Sequence, residues 1–332
     1  MPIPESATAF LAAQAERVRQ FRARKRIVFP EGSDPRILGA AERLAREGLI
    51  EPILVGRQPA GAASGVAFVD PESCPRTEKY AALYFERRGS RGVSEREAAR
   101  IARRPLYFAA LMVAAGDADG TVGGATTSTA ETVRAALHAI GAAPGIRTVS
   151  GFFVLAVHDR HFGHNGLFLA ADCAVVVSPT AAELADIAIA TAASTRTLLN
   201  TEPIVALLSF STKGSARHPD VDKVVEALKL IRARAPQLEV EGELQADAAL
   251  IAAVGQAKAP GSKVPGRVNT LVFPNLNSGN ICYKLVERFA DGAAIGPLLQ
   301  GLAKPANDLS RACTAEDVYA VAIVTASQTE TA

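Results

Sequence analysis

Short apolar runs alternate with amphipathic stretches along the first third of the chain. Residues 27–29 and 53–55 are apolar runs of strand length, and the segment between them has helical periodicity. Asp34 and Pro35 suit the start of that helix, and Gly48 suits its end. A strand, a helix and a second strand with short links predict a right-handed parallel crossover, which is typical of an α/β fold.

The same alternation continues towards residue 145. The predicted elements are a strand at Val66–Val69, a helix at Arg76–Arg88, a helix capped by Ser94 and Glu97, a strand with a glycine-rich turn at Gly120–Ala125, and a helix at Thr129–Ile140. Ser128 and Glu131 predict a capping box in front of the last of these helices. A helix N-terminus therefore faces the glycine-rich turn.

A break at Gly141–Gly145 separates this part from a region with many strand-like segments. Strands are predicted at Ile146–Val149, Phe152–Val157, Leu167–Leu169, Ala174–Val177, Ile204–Phe210 and Leu271–Phe273. Helices are predicted from Thr180, with Glu183 as its capping partner, to about Leu199, and at Val221–Ala233. The first twenty residues resemble one amphipathic helix.

The closing part returns to helical periodicity at Ile295–Leu302 and ends with a predicted helix at Ala315–Ser327. This part is too short for a domain of its own, so we expect it to pack on the first one. The predicted fold class is α/β, with two α/β domains of largely parallel sheets and the second inserted into the first. The predicted limits are 1–144 plus 297–332, and 145–296, with a cleft between the domains, where ligand sites are common.

Composition restricts the classes of partner. The 332-residue chain carries 36 basic and 34 acidic side chains, and its formal net charge is only +2. Neither nucleic acid nor an anionic membrane is therefore an expected partner. No apolar run reaches the ~18–20 residues that span a bilayer, and Met1–Gln20 lacks the pattern of a signal peptide. The four cysteines are far apart and form no CxxC pair, so we expect reduced thiols in a cytoplasmic protein.

The segment from Asn307 to Asp317 concentrates a hydroxyl group, a fixed cation and carboxylates. In one interpretation Thr314 caps a helix and Asp317 is its capping partner. In the other, Ser310 and Arg311 bind phosphate or stabilise an oxyanion, while Asp317 accepts a proton. The residues alone leave both interpretations open.

Other motifs are weaker. The loop Gly120–Thr129 offers backbone donors to an anion, but it matches neither the Walker A spacing nor GxGxxG, so a plain strand–turn–helix junction is equally open. The missing dinucleotide fingerprint argues against a dehydrogenase. His158, His161 and His164 are too loosely spaced to predict a metal site. Cys313 beside Arg311 is a candidate for a lowered pKa, but without a nearby histidine we expect a packed thiol.

Six segments, in order from about residue 24 to residue 326, resemble the phosphate acetyltransferase (phosphotransacetylase) family: IVFPEGSDPRI, LSFSTKGSARHP, GELQADAAL, KAPGS, FPNLNSGNICYKL and LQGLAKPANDLSRAC. The resemblance implies reversible transfer of an acetyl group between coenzyme A and inorganic phosphate, with acetyl phosphate as the other substrate. It also implies a homodimer and no bound cofactor or metal. A phosphate butyryltransferase and a non-catalytic module that senses acyl-coenzyme A are the alternatives.

The resemblance also assigns residues. Ser310, Arg311 and Asp317 fall on the family's catalytic loop, with Asp317 as the base for the coenzyme A thiol. Contacts to phosphate and the acyl group are implied for Arg134 and Arg88, and contacts to coenzyme A for Ser128, Thr129, Asn280 and Lys284. Arg88, rather than its neighbour Arg87, is assigned by counting back from Gly92. The loop reads SRAC where SRGC is usual, so Ala312 takes the place of a glycine.

Overall fold

The structure is a computed structural model that describes residues 3–59 and 65–330. In this range the chain forms two compact units. The first unit comprises the described residues of Leu11–Ile146 and Gly296–Ala332, and the second unit those of Met1–Phe10 and Arg147–Ile295. The domain limits expected from the sequence stay a prediction of where independent domains begin and end.

Strands and helices alternate along most of the chain. The strands are β1 (Lys25–Phe29), β2 (Ile50–Val55), β3 (Ala67–Val69), β4 (Gly120–Gly123), β5 (Ser150–Ala156), β6 (Leu167–Ala171), β7 (Ile204–Leu208), β8 (Glu239–Leu244), β9 (Thr270–Val272), β10 (Ala293–Gln300) and β11 (Ala306–Asp308). The helices are α1 (Glu5–Arg19), α2 (Pro35–Arg46), α3 (Thr77–Arg88), α4 (Glu95–Ala102), α5 (Pro105–Ala115), α6 (Thr129–Ala139), α7 (Ala181–Leu199), α8 (Pro219–Arg234), α9 (Ala246–Leu250), α10 (Ala252–Lys258), α11 (Leu276–Phe289) and α12 (Ala315–Gln328).

The first unit is built on a five-stranded sheet in the order β11-β4-β1-β2-β3, whose neighbouring strands all run parallel. Helix α2 connects β1 to β2 and buries one stripe of side chains, at Ile37, Ala40, Ala41 and Leu44. This spacing of three and four residues is that of an amphipathic helix against a core. The parallel strand–helix–strand unit predicted for residues 27–55 is confirmed.

The second unit contains strands of a six-stranded sheet in the order β10-β5-β6-β9-β7-β8. Strands β5 and β6 are antiparallel, whereas β6, β9, β7 and β8 pair in parallel. Every residue of β5 and β6 is buried, so these strands read as continuous apolar runs rather than as alternating ones. With two mostly parallel sheets, the predicted α/β class is confirmed.

The predicted capping boxes set the helix starts. Both hydrogen bonds of the box are present in three cases, for Ser128 with Glu131, Thr180 with Glu183, and Thr314 with Asp317. Ser94 also accepts a hydrogen bond from the backbone of Glu97 at the start of α4. A capping box needs only residues three apart, which explains why the sequence locates these helix starts to within a residue.

Three predicted elements are wrong. Residues 295–302 are not helical, because most of them belong to strand β10. Asn307 accepts a hydrogen bond from the backbone N–H of Leu299 at 2.7 Å within that strand. Ala174–Val177 is not a strand, because the carboxylate of Asp172 accepts the backbone N–H groups of residues 174, 175 and 176. Residues 146–149 are irregular and only lead into β5.

Some elements have no signal that the pattern could show. Helix α5 is buried from Tyr107 to Val113 without interruption, so it has no polar face and no helical periodicity. Strands β8 and β11 and helices α9, α10 and α11 are also absent from the predicted elements. Helix α11 does have apolar residues at helical spacing, at Ile281, Leu285 and Phe289. Within the described residues, no helix combines the length and the apolar character needed to cross a membrane.

Candidate active site

Three loops meet at the carboxyl edge of the first sheet, because β11, β4 and β1 are adjacent parallel strands. Strand β1 leads into Pro30 and Glu31, β4 leads into the glycine-rich loop 124–127, and β11 leads into the loop 309–313. In parallel α/β sheets this edge is the usual place for a ligand. The sheet order therefore places residues far apart in sequence at one location.

The glycine-rich loop folds around the carboxylate of Glu31. Oε2 of Glu31 accepts the backbone N–H of Gly124 at 3.0 Å and that of Ala125 at 3.2 Å, and Oε1 accepts that of Thr126 at 3.0 Å. The hydroxyl groups of Thr126 and Thr127 also donate to Oε1. The donors that suggested an anion site are thus engaged by the chain's own carboxylate. The sequence analysis did not identify Glu31, although its position two residues beyond the apolar run at 27–29 could have indicated a site residue.

Ser128 and Thr129 both make internal hydrogen bonds at the start of α6. Ser128 Oγ donates to Glu131 at 3.0 Å, and Thr129 Oγ1 donates to Asp308 Oδ2 at 2.5 Å. Asp308 ends β11 and is fully buried, and burial raises the pKa of its carboxyl group to about 6. Its Oδ1 has no hydrogen-bond partner among the described residues, and a Cβ atom at Gly124 would collide with it.

The loop after β11 exposes the side chains of Ser310 and Arg311. Its backbone forms a tight turn, in which the N–H of Cys313 donates to the carbonyl oxygen of Ser310 at 2.9 Å. The N–H of Ala312 donates to Ser310 Oγ at 3.2 Å. The structure thus places a hydroxyl group and a guanidinium group on consecutive exposed residues of a defined turn.

Asp317 lies in the first turn of α12, and its side chain is exposed. Its Oδ2 accepts the backbone N–H of Thr314 at 2.8 Å and the hydroxyl group of Thr314 at 2.9 Å. The capping interpretation is therefore confirmed. Because the carboxylate is also accessible, this geometry lets the same side chain cap the helix and meet a ligand.

Cys313 is buried, and its burial raises the pKa of the thiol, an effect that the nearby Arg36 charge only partly offsets. This result supports the packed thiol over a reactive one. In the segment with three histidines, His161 Nδ1 lies 2.9 Å from Asp159 Oδ1. Across residues 3–59 and 65–330, no group of three or more potential ligands gathers in a metal-binding arrangement.

Arg87 and Arg88 differ in their hydrogen bonds. Nη1 of Arg87 donates to the carbonyl oxygen of Ile140 at 2.6 Å, at the end of α6. Nε of Arg88 is buried and has no hydrogen-bond partner among the described residues. Burial, together with the charges of Arg88, Arg134 and Arg91, lowers the pKa of His138. Arg88 and Arg134 therefore belong to one basic cluster around this imidazole.

Asn280 and Lys284 lie on α11 in the second unit, whereas the other predicted site residues lie in the first unit. Asn280 Nδ2 donates to the carbonyl oxygen of Cys173 at 3.1 Å. The exposed Lys284 places its Nζ 4.7 Å from the centre of the Tyr283 ring. The ammonium group of Lys284 is accessible to an anion, whereas the Asn280 amide already has a structural contact.

A cavity of about 340 Å³ adjoins the glycine-rich loop in the first unit. It is lined by Glu31 and Asp34 on one side, by Arg104 and Leu106 at the start of α5, and by Thr126, Thr127 and Glu131. Arg104 supplies a cation at this cavity and stacks near the Tyr107 ring, 5.3 Å from its centre. A mixed lining of this kind suits a polar ligand of modest size.

Comparisons with known proteins agree with this arrangement. A family model described as "Phosphate acetyl/butaryl transferase" matches residues 9–326. A phosphate acetyltransferase from Paracoccus denitrificans is 49% identical over 306 residues, which cover 92% of this chain and 95% of the relative. A second, from Clostridium acetobutylicum, is 46% identical over 316 residues, with 92% and 95% covered.

A solved structure supports the same grouping. The crystal structure of a phosphotransacetylase from Streptococcus pyogenes superimposes with a TM-score of 0.91 at 41% identity and covers 98% of this chain and 99% of its own. The family expected from the six sequence segments is confirmed. The chain therefore belongs to the phosphate acetyl/butaryl transferase family.

Proposed function

We propose that the chain transfers an acetyl group reversibly between coenzyme A and inorganic phosphate. The coenzyme A thiolate attacks the carbonyl carbon of acetyl phosphate in a ternary complex, the carbon–sulfur bond forms, and phosphate leaves. The observation that carries the proposal is the loop after β11, which exposes Ser310 and Arg311 at the carboxyl edge of a parallel sheet in a chain of this family. A guanidinium and a hydroxyl group there can donate to the developing oxyanion.

Asp317 is the proposed base for the thiol. A thiol with a pKa of ~8.5 and an aspartate with a pKa of ~3.9 differ by about 4.6 pH units, or about 6 kcal/mol against proton transfer. The Asp317 side chain is exposed, so a bound thiol can reach its carboxylate. The Arg311 guanidinium would offset part of this cost by stabilising the thiolate.

Arg88 and Arg134 are the proposed phosphate-binding residues. A buried donor without a partner costs about 1–3 kcal/mol, and the buried Nε of Arg88 is such a donor among the described residues. A phosphate oxygen is an acceptor that would remove this cost and form a charge-assisted hydrogen bond. Arg134 contributes a second cation from an exposed position on α6.

Coenzyme A contacts are proposed for Lys284, through its accessible ammonium group, and for Asn280, Ser128 and Thr129. Asn280, Ser128 and Thr129 each make an internal hydrogen bond, so they would bind coenzyme A through their remaining donor or acceptor positions. The reaction needs no bound cofactor or metal, because arginines hold the anions and coenzyme A is itself a substrate. A cytoplasmic location fits the four cysteines, which are all free.

The protein is proposed to act as a homodimer. Helix α11 exposes Ile281, Leu285 and Phe289 to extents of 57%, 46% and 83%. Their spacing of four residues places them on one face of the helix. Val177 is also exposed, to 68%, and its carbonyl oxygen accepts the backbone N–H of Leu276 at the start of the helix. A second copy of the chain would remove this surface from water.

The test is formation of the coenzyme A thioester from acetyl phosphate and coenzyme A, with butyryl phosphate as the competing substrate. We expect Arg88→Ala to lower kcat/KM for acetyl phosphate by about 10- to 100-fold, the effect of one charge-assisted hydrogen bond. Arg87→Ala is the matched control, because its guanidinium already binds Ile140, and it should keep the parent value.

Three results would count against these assignments. A parent protein that forms no thioester would exclude the proposed activity. A higher kcat/KM for butyryl phosphate than for acetyl phosphate would identify the butyryl group, and not the acetyl group, as the one transferred. Equal losses of kcat/KM in the Arg87 and Arg88 variants would show that the effect comes from the positive charge at this helix end. The unpaired donor of Arg88 would then have no special role.

A further inference from the structure

Arg36, in the first turn of α2, makes five hydrogen bonds with its side chain. Its Nη1 donates to the carbonyl oxygen of Arg311 at 2.9 Å and to that of Cys313 at 3.0 Å. Its Nη2 donates to the carbonyl oxygen of Ala125 at 2.9 Å and to Asp34 Oδ2 at 2.8 Å. Its Nε donates to Asp34 Oδ1 at 3.0 Å. One guanidinium group thus joins α2 to the glycine-rich loop and to the loop after β11.

These bonds use the full donor capacity of the side chain. A guanidinium group has five N–H donors, and each has a partner here. No donor is left for a substrate anion, which distinguishes Arg36 from Arg88. The contacts therefore assign Arg36 to holding the protein's own backbone.

Asp34 fixes the orientation of this guanidinium group. It is the N-cap of α2, and its Oδ1 accepts the backbone N–H of Arg36 at 2.9 Å in addition to the two side-chain bonds. The paired Arg36 side chain lowers the pKa of the Asp34 carboxyl group, so the pair stays charged. A bidentate carboxylate holds the plane of the guanidinium group, and the remaining N–H groups then point at fixed positions.

Among the described residues, the hydrogen bonds that join the loop 309–313 to α2 are those of Arg36. The bonded carbonyl groups, those of Arg311 and Cys313, lie on either side of Ala312 in the exposed turn. The hydrogen bonds within the turn, from the N–H groups of Ala312 and Cys313, both go to Ser310. Fixing the carbonyl group of a residue fixes its Cα position, and so the point from which its side chain extends.

The geometry points to Arg36 as a positioning residue for the transfer reaction: it sets the backbone of Arg311, and with it the guanidinium group that meets the reacting acyl phosphate. This inference rests on the proposed function. Lysine cannot replace Arg36, because an ammonium group has three donors and no planar fork. A misplacement of about 1 Å at a reacting group can lower a rate by about 10²-fold.

Arg43 provides the matched control. It lies on the same helix, donates to Glu47 at 2.9 Å and to Glu316 at 2.7 Å, and stacks on the Tyr319 ring at 3.8 Å. It therefore ties α2 to α12 through a comparable set of contacts, but it does not touch the loop 309–313. A general loosening of α2 should affect both variants.

The experiment compares Arg36→Ala, Arg36→Lys, Asp34→Asn and Arg43→Ala with the parent in kcat, in KM for each substrate and in unfolding temperature. We expect both Arg36 variants to lose about 10²-fold in kcat with KM little changed, and guanidinium ion, added below its unfolding range, to restore part of kcat in Arg36→Ala. Asp34→Asn keeps a good N-cap but loses the ion pair with Arg36, so it should unfold at a somewhat lower temperature. It should also lose part of kcat, because its pairing with the guanidinium group is weaker. Arg43→Ala should keep the parent kcat.

Amide hydrogen exchange gives a readout that does not depend on activity. Residues 309–314 should exchange faster in Arg36→Lys than in Arg43→Ala at temperatures equally far below each unfolding midpoint. An inactive parent with this exchange difference would defeat the proposed function and retain the loop-holding role. Equal exchange, an unchanged kcat in the Arg36 variants, or a rise in KM for coenzyme A alone would overturn the positioning role.

Discussion

Replacing Asp308 by asparagine should change the stability of the folded protein in a pH-dependent way, with the variant gaining on the parent from acid to neutral pH. Asp308 is fully buried, and burial raises the pKa of its carboxyl group from 3.8 to about 6. The folded state therefore binds a proton more tightly than the unfolded state, so the charged form destabilises the folded protein. The penalty is absent below about pH 4, grows between pH 4 and pH 6, and is complete above pH 6.

The magnitude follows from the difference between the two pKa values. A change from 3.8 to about 6 corresponds to about 3 kcal/mol in the free energy of unfolding once the group is ionised. Asparagine is neutral and of nearly equal size, and its oxygen can still accept the Thr129 hydroxyl group that now donates to Oδ2. Its amide group then takes the place of Oδ1, which has no partner among the described residues, at a cost of about 1–3 kcal/mol that does not depend on pH. We therefore expect the stability of Asp308→Asn relative to the parent to rise by about 3 kcal/mol between pH 4 and pH 7.5.

The assay is urea unfolding of both proteins at pH 4, 5, 6 and 7.5. Asp119→Asn is a control of opposite sign. Burial opposes ionisation of Asp119, but its hydrogen bonds to Arg26 and the charge of Arg26 outweigh this, so its pKa lies below 3.8. That variant should lose about the same stability at every pH of this series, because the loss shrinks only as the pH falls from 3.8 through the lowered pKa. A difference between parent and Asp308→Asn that does not change with pH would refute the reasoning.

Two further predictions test the site and the assembly. Asp317→Asn should keep most of the capping box, with a stability loss of at most ~1–2 kcal/mol, but its turnover should fall by about 10²–10⁴-fold, whereas Asp317→Glu should keep part of the turnover. Near-parent turnover of the asparagine variant at saturating substrates would remove Asp317 from the mechanism. Leu285→Asp should shift the protein from dimer to monomer in analytical ultracentrifugation, because it places a charge within the apolar face of α11, whereas Lys229→Asp on the exposed side of α8 should leave the mass unchanged. A parent that sediments as a monomer would contradict the proposed dimer.

Local signals determined much of the secondary structure. The starts of α6, α7 and α12 follow from hydroxyl and carboxylate residues three positions apart, because a capping box is a contact within one turn of helix. The parallel unit around α2 follows from the periodicity of its buried stripe. Six separated segments were enough to indicate the family, and the comparisons confirmed it.

Longer-range structure decided what the pattern could not. A short apolar run such as IGPLLQGL fits a helix or a strand, and in the folded chain most of it forms β10, the neighbour of β5 in a sheet. Helix α5 left no periodicity to find, because packing surrounds it on every side.

Some features of the candidate site follow from the sequence, and others are visible only in the folded chain. The sequence by itself determined that the chain carries Ser310, Arg311 and Asp317 in a loop that leads into a capped helix. Only the tertiary structure showed that Glu31 fills the glycine-rich loop and that Arg36 holds a loop 275 residues away. The physical reason is that a hydrogen bond between distant loops depends on the order of β1, β4 and β11 in the sheet, and no local pattern of residues encodes that order.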